Sequence, residues 1–541
     1  MPATRQQLDT LLEWACENGT KIHSEVNFEI GINGVGAYFN NKSGGEVVIQ
    51  EPLISVPESI MITPKLVTDY FATTAEGKKL INKVSSVELF KLFLSKFKDG
   101  ESQEEIGIKF KPFFKILPSA KDLNIPFFWK EKETALLQNT DAEFFLQNSL
   151  TSLYEGWVKI SRILGGDPKQ EFSLDEWYKW TENDSGDWLD FPSYVWASCI
   201  LSSRGFPSIL IEPGVKEERL ILVPIMDLTN HVNDAQVKWI PKFENHTKFI
   251  DFNALDKFPS GKQEIYNNYG SKDNLTLLFG YGFIDENNKY GKTTISMQLD
   301  LNSVNKAISL GVAIPDKPLQ TFEISHEQPI NEVFLDMMQA NLKLDYEISF
   351  KTHRTKLEAI EQMLSIYEVK LNQMKQKDDF KKVNNATVIK TIKGYKKCQR
   401  LLIQKSYDEL NRLLKSSLKE SKAVLFKKIY ANDGEFSRLV ENFYQFANLE
   451  ESKHQDYYDY IVILYILLSK EGWIKQKLGQ MRKIIGEITP ADEMREIYQN
   501  KMKIPQIAKE ITIDEWFIAD KVYDVMVYTK VSNGETYLIN N

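Results

Sequence analysis

Asp227-Leu228-Thr229-Asn230-His231, followed by Asn268-Tyr269-Gly270-Ser271-Lys272-Asp273-Asn274 and then Phe279-Gly280-Tyr281-Gly282-Phe283, is the part of the chain whose reading decides the fold. These blocks set an adjacent Asn-His pair and two tyrosines, twelve residues apart, among strand-like runs with little competing polar chemistry. Singly, each has an ordinary explanation. A buried histidine most often satisfies only its own hydrogen bonds, and a tyrosine most often packs its ring and wets its hydroxyl.

The rest of the chain narrows the choices. With 541 residues, 42% hydrophobic and 26% charged, it has material for about three domains with proper cores, and it reads as globular rather than disordered or coiled-coil. Cys16, Cys199 and Cys398 lie far apart with no C-x-x-C spacing, which predicts a reducing compartment, no disulfide frame and no bound metal. Met1-Pro2-Ala3-Thr4-Arg5-Gln6-Gln7 lacks the basic start and apolar run of a signal peptide. The longest apolar run, 460–468, is shorter than the ~20 residues of a membrane span. Cytoplasm is the expectation, with the nucleus open, and no membrane contact is expected. The net charge of −8 is uneven: residues 370–428 hold seventeen Lys and Arg against five Asp and Glu, a balance of +12, which leaves −20 elsewhere. Such a stretch reads first as the solvated face of long helices and second as a contact for RNA or an acidic partner.

Residues 8–17 carry a helical stripe of Leu8, Leu11, Leu12 and Ala15, with Gly19 beyond its end. Short strands are predicted at 28–32 and 46–49, then Pro52, Pro57 and Pro64 exclude a continuous helix. Residues 85–165 read as helices broken near Pro112, Pro118 and Pro126, and 194–203 as a further helix. Strands are predicted at 209–211, 220–224 and 237–240, giving an α+β front half. Long helices follow at 331–377, at 386–430 with small interruptions, and at 457–468, and a hairpin about Asn533-Gly534 spans 522–539.

Other motifs fail. Gly291-Lys292-Thr293 lacks the earlier glycine of a phosphate loop, Glu286 standing there, no H-E-x-x-H occurs, and 285–289 lacks the glycine of a calcium loop. Gly34-Val35-Gly36, between two predicted strands, reads by itself as a tight turn.

Order and spacing point further. Gly34-Val35-Gly36, Glu51 six residues before Pro57, Ser202-Ser203-Arg204, the 227–231 block, Tyr269 and Tyr281 together resemble the SET-domain methyltransferases of the Rubisco large-subunit methyltransferase-like group. The runs Ile116-Leu117-Pro118, Pro126-Phe127-Phe128-Trp129 and Leu137-Gln138-Asn139-Thr140 are similar to the start of the helical insert these enzymes carry. The resemblance implies a SET fold at 1–115 and 191–305, a helical insert at 116–190, and a helical substrate-binding domain at 306–541.

It also implies S-adenosylmethionine (SAM) as cofactor. Gly34, Val35 and Gly36 would hold its methionine end through backbone groups, Glu51 and Leu53 would line the pocket, and Arg204 would pair with its carboxylate, for which a guanidinium fork is suited. Asp227 joins this set, and Asn230 and His231 would meet the amino group and adenine, His231 largely through its backbone. Tyr269 would be catalytic, with Tyr281 beside the sulfonium and the incoming amine. The pattern departs from many relatives at Ala37-Tyr38 and at Val232. The implied reaction is methylation of a lysine in a non-histone protein, a ribosomal protein or elongation factor, by a monomer; the basic stretch 370–428 separately favours a contact with ribosomal RNA. Methylation of histidine, a noncatalytic SET-fold scaffold and an RNA-binding protein are the competing readings.

Overall fold

Glycines and asparagines interrupt the first strand-forming runs, and the strands they separate stay short. The computed structural model describes residues 3–31, 34–183, 185–214, 219–375, 379–446, 457–485 and 511–540. It forms two units, Met1–Gly291 with Lys377–Gln399, and Lys292–Gln376 with Arg400–Asn541. The architecture is α+β, as the sequence predicts.

In the first unit, strands β1 (Lys21–Ile22), β2 (Val26–Gly31), β3 (Gly34–Asn41), β4 (Val47–Val48) and β5 (Ile54–Pro57) precede the helices. Strands β6 (Gly205–Pro207), β7 (Leu220–Leu222), β8 (Asn230–His231), β9 (Val237–Glu244), β10 (Thr247–Ala254), β11 (Lys257–Phe258) and β12 (Gly261–Asn267) follow them. The larger sheets run β1-β5-β10-β9 and β2-β3-β12-β8, and the pairs β11-β4 and β6-β7 complete the set. Strand β12 is central to the site. It pairs antiparallel with β3, Glu264 opposite Tyr38, and parallel with β8, Tyr266 opposite Asn230 and Asn267 opposite His231.

The helical segment packs on aromatic side chains. Asp141–Leu164 turns an amphipathic stripe inward and ends at Gly165, whose φ of +99° is the left-handed cap that glycine adopts without strain. Trp177 is fully buried and its Nε1 donates to the Phe127 carbonyl at 2.8 Å, so burial leaves no unpaired donor there. The helix Phe191–Arg204 starts on Asp190, whose side chain accepts from the Ser193 amide.

The second unit pairs β13 (Lys292–Gln298) with β14 (Leu319–Ser325), then continues in helices and a small sheet, β15 (Val424–Leu425), β17 (Thr536–Leu538) and β16 (Val527–Thr529), in that order. Inside it, Arg354 is buried against Glu347, Nη2 to Oε2 at 2.6 Å, and reaches Glu358 at 2.7 Å.

Several sequence expectations are corrected. Residues 209–211 are not a strand: Ser208–Leu210 is a 3₁₀ turn closed by Ile211 donating to the Ser208 carbonyl, and it lets β6 and β7 pair antiparallel. The helix expected at 331–377 is two, Glu332–Leu342 and His353–Gln373, because Thr352 caps the second with a reciprocal Thr355 bond. The helical stretch expected at 386–430 with small interruptions is Ala386–Glu420 and Phe426–Asn432, interrupted where Lys422 turns at φ +48° and Val424 pairs with Leu538. Of the expected hairpin, the first residues belong to the helix Ile513–Met526, and the turn holds Gly534 at φ +69°. Strands β10, β12, β13 and β14 are additional to those expected, although β13 and β14 carry the alternation of a half-buried strand, Ile295 with Met297 and Phe322 with Ile324.

Candidate active site

The site begins with a strained turn. Ile225, a β-branched residue, sits at φ +75°, ψ −48°, where only glycine is at ease, and leads into the 3₁₀ turn Met226–Leu228. That turn drives Asp227 inward, its side chain 0% exposed. Arg204, the last residue of its helix, meets it with Nη1 at 2.8 Å from Oδ2 and 3.3 Å from the Asp227 carbonyl. Burial pushes the Asp227 carboxyl up, and the Arg204 guanidinium opposes the rise. Asp227 Oδ1 is buried without a hydrogen-bond partner. The partner of Arg204 within the fold is therefore Asp227, a competitor for the cofactor carboxylate that the resemblance assigns to it.

Successive side chains on a strand point to opposite faces, so the two residues of β8 serve different neighbourhoods. Asn230 Nδ2 donates to Glu264 Oε1 at 2.7 Å, and Tyr266 donates its hydroxyl to Glu264 Oε2 at 2.8 Å. Gly36 closes this polar cradle: a Cβ there would lie 2.9 Å from Glu264 Oε1 and 3.2 Å from Asn230 Nδ2. Gly34 has a different reason to be glycine, since its φ of +96° opens β3 in the left-handed region. Val35 between them is half-buried and pairs with Ile30.

His231 faces the tyrosines. Its Nδ1 accepts from the Tyr269 amide at 3.0 Å, and its Nε2 lies 3.0 Å from Asn233 Oδ1. The His231 and Tyr269 rings stack at 4.8 Å and 15°, and Tyr269 stacks on Tyr281 at 4.6 Å and 19°, within the favourable range for offset rings. The Tyr269 hydroxyl donates to the Thr229 carbonyl at 2.8 Å. Burial raises its pKa well above the ordinary value, with Arg204 opposing, and burial raises Tyr281 too. Tyr281 is placed by the helix Asn274–Tyr281, which Asp273 caps at its start and Gly282, at φ +78°, ends. Asn124 fixes that end by donating to the Gly282 carbonyl at 2.8 Å.

Nine of the predicted residues fall on these elements or their borders, but Glu51 and Leu53 stand apart. The Glu51 side chain is 72% exposed and lies 3.2 Å from His23 Nε2. Leu53 is wholly buried, and its amide donates to Phe252, so its side chain belongs to the core and not to an open wall. Glu264 and Asn124 were missed. Glu264 lies in the run Gly261-Lys262-Gln263-Glu264-Ile265-Tyr266-Asn267, where nothing local distinguishes one polar side chain from the next.

Against solved structures the chain matches the SET domain of LSMT bound to methyl-lysine and AdoHcy, with a TM-score of 0.58 at 16% identity, over 82% of this chain and 100% of that one. The structure of Rubisco LSMT bound to AdoMet matches with a TM-score of 0.56. This chain has the fold of the LSMT SET domain. Among curated proteins this SET-fold chain is similar to the protein-lysine N-methyltransferase EFM1 of Saccharomyces cerevisiae, 27% identical over 98% of this chain and 97% of the relative. It is also similar to the ribosomal lysine N-methyltransferase 1 of the same yeast, 26% identical over 88% and 90%. An actin-histidine N-methyltransferase of Xenopus tropicalis matches at 22% over 61% and 52%. The family model described as the EFM1 middle domain matches residues 292–421.

Proposed function

We propose that this chain is a SAM-dependent protein-lysine N-methyltransferase whose substrate is a non-histone protein, a ribosomal protein or a translation elongation factor. The observation that carries the reading is the stack of Tyr269 between His231 and Tyr281, one strand residue away from the Gly36–Asn230–Glu264 cradle. The residues fit the cofactor: Gly36 leaves bare backbone where any Cβ would crowd Glu264. On this reading Gly34, Val35, Gly36, Asn230 and His231 hold SAM, with Arg204 braced by Asp227. When bound, SAM supplies an electrophilic methyl group on a cationic sulfur.

The chain's own part is to present a neutral, aligned amine. A lysine titrates near ~10.4, so its neutral form at pH 7 costs roughly 4.6 kcal/mol. A site walled by buried rings disfavours the ammonium and offsets part of that cost. Tyr269 stays protonated at neutral pH, its proton committed to Thr229, so it serves as an acceptor that orients the amine N–H and not as a base. Both faces of Tyr269 are covered by His231 and Tyr281, so the ring that suits a cationic neighbour is Tyr281.

Incubating the chain with tritiated SAM and a lysate from a strain lacking it, then hydrolysing the labelled band, tests the proposal. Methyl-lysine is the expected product. Methyl-histidine would favour the second reading, for which the actin-histidine relative is the support; no label with any protein would sink both.

An RNA contact through 370–428 is a finer proposal. Exposed Lys390, Lys393 and Lys397 border a groove of about 430 Å³. Part of this charge is engaged internally, Lys397 with Glu286 at 2.8 Å and Lys393 over the Phe380 ring at 4.7 Å. RNA binding that weakens steeply with salt would support the contact. Action in the cytoplasm is proposed on the three free cysteines, and imaging of a tagged chain tests it.

A further inference from the structure

We infer that Glu264 is a positioning residue for the cofactor, one that orients Asn230 and lends negative charge to the site where the cationic α-amino group of SAM is held. This rests on the reading of the site as a SAM pocket and deepens it. Three observations converge on Glu264. Its Oε1 accepts from Asn230 Nδ2 at 2.7 Å, its Oε2 accepts from the Tyr266 hydroxyl at 2.8 Å, and the bare Cα of Gly36 lies over the Asn230–Glu264 pair.

The chemistry of the pair fixes its direction. An ionised carboxylate accepts hydrogen bonds and donates none, so it engages the NH₂ side of the Asn230 amide and turns Oδ1 the other way. An amide free to flip would offer a donor as readily as an acceptor, and a donor repels an ammonium. With its NH₂ held, Asn230 offers an acceptor. The Tyr266 bond and the pairing of β12 with both β3 and β8 keep Glu264 from rotating away. Its charge adds a second attraction that an amide lacks, since hydrogen bonds and contacts involving an ion are stronger than neutral ones. Gly36 then has a role beyond flexibility: only a residue without a Cβ lets the Asn230–Glu264 pair pack this closely on β3.

The test is calorimetric titration of the full chain with SAM and with 5′-methylthioadenosine, which keeps the adenosine and the sulfur but lacks the amino-acid end. Glu264→Ala is expected to weaken SAM at least tenfold and to leave 5′-methylthioadenosine within about twofold. Glu264→Gln keeps an oxygen and drops the charge, so its SAM affinity should fall between Glu264→Ala and wild type. It also serves as the folded variant if Glu264→Ala is unstable. In turnover, KM for SAM should rise with kcat nearly unchanged. Equal losses for the two ligands would make Glu264 merely structural, and unchanged SAM affinity in both variants would also overturn the inference. Wild-type chain that binds no SAM would overturn the cofactor reading itself, which separates the two failures.

Discussion

The polar cradle around Gly36, Asn230 and Glu264 and the aromatic stack of His231, Tyr269 and Tyr281 are joined by one peptide bond, yet they are built on different physics. The cradle depends on directional hydrogen bonds between charged or amide groups, and it admits no extra atom at Gly36. The stack depends on ring faces, and the two hydrogen bonds that hold Tyr269 in it involve backbone, the Thr229 carbonyl and the Tyr269 amide. Directional bonds confer selectivity and fail abruptly, whereas ring packing is broad and loses strength gradually. A cofactor with a polar end and a cationic sulfur asks for one of each.

Four perturbations separate the two regions. The largest effect belongs to the brace below both. Arg204→Met leaves the Asp227 carboxylate buried and unpaired, and stability should fall by about 3–5 kcal/mol in urea denaturation. Adding Asp227→Asn should recover much of that loss; a single-variant loss under ~1 kcal/mol would show that the pair braces neither region. Next, Tyr269→Phe should cut single-turnover methyl transfer on the order of 10²-fold while SAM affinity stays within about threefold, because the ring remains stacked. Undiminished transfer would remove Tyr269 from the chemistry.

On the cradle side, Gly36→Ala should weaken SAM about tenfold with little change in the stack, since the methyl must displace Glu264. Binding equal to wild type would mean that the cradle has slack. The smallest effect is acidification. Burial holds the His231 pKa below 6.5, with Lys272 also lowering it and Asn233, Asn267 and Asp285 opposing. The unfolded chain therefore takes up the proton first as pH falls. The stability that neutral His231 contributes is full above about pH 6.5 and is lost as pH drops through its depressed folded value. Protonated Nδ1 can no longer accept from the Tyr269 amide. The urea midpoint of wild type should approach that of His231→Gln between pH 7 and 5, and a constant gap would show that His231 does not titrate there.

Much of the fold was legible where local rules act alone. The stripe of Leu8, Leu11 and Ala15 marked the helix Arg5–Glu17, and Arg204-Gly205 marked the end of Phe191–Arg204. Misreadings came where a cap or a neighbour distant in sequence overruled the local pattern. The run 331–377 breaks in two because Thr352 caps a new helix at His353. Ser208–Leu210 curls because β7 returns to pair with β6.

For the site, the residue types and their alternation were in the sequence: Asn230 and His231 must face opposite sides of any strand they form, and Gly34 permits the left-handed conformation that it adopts. The tertiary structure decided the partners. Glu264 stands 34 positions from Asn230, and Arg204 stands 23 from Asp227. Their meeting follows from the parallel register of β8 on β12 and from the turn that buries Asp227, and no local periodicity specifies which of several equivalent polar side chains a register will select.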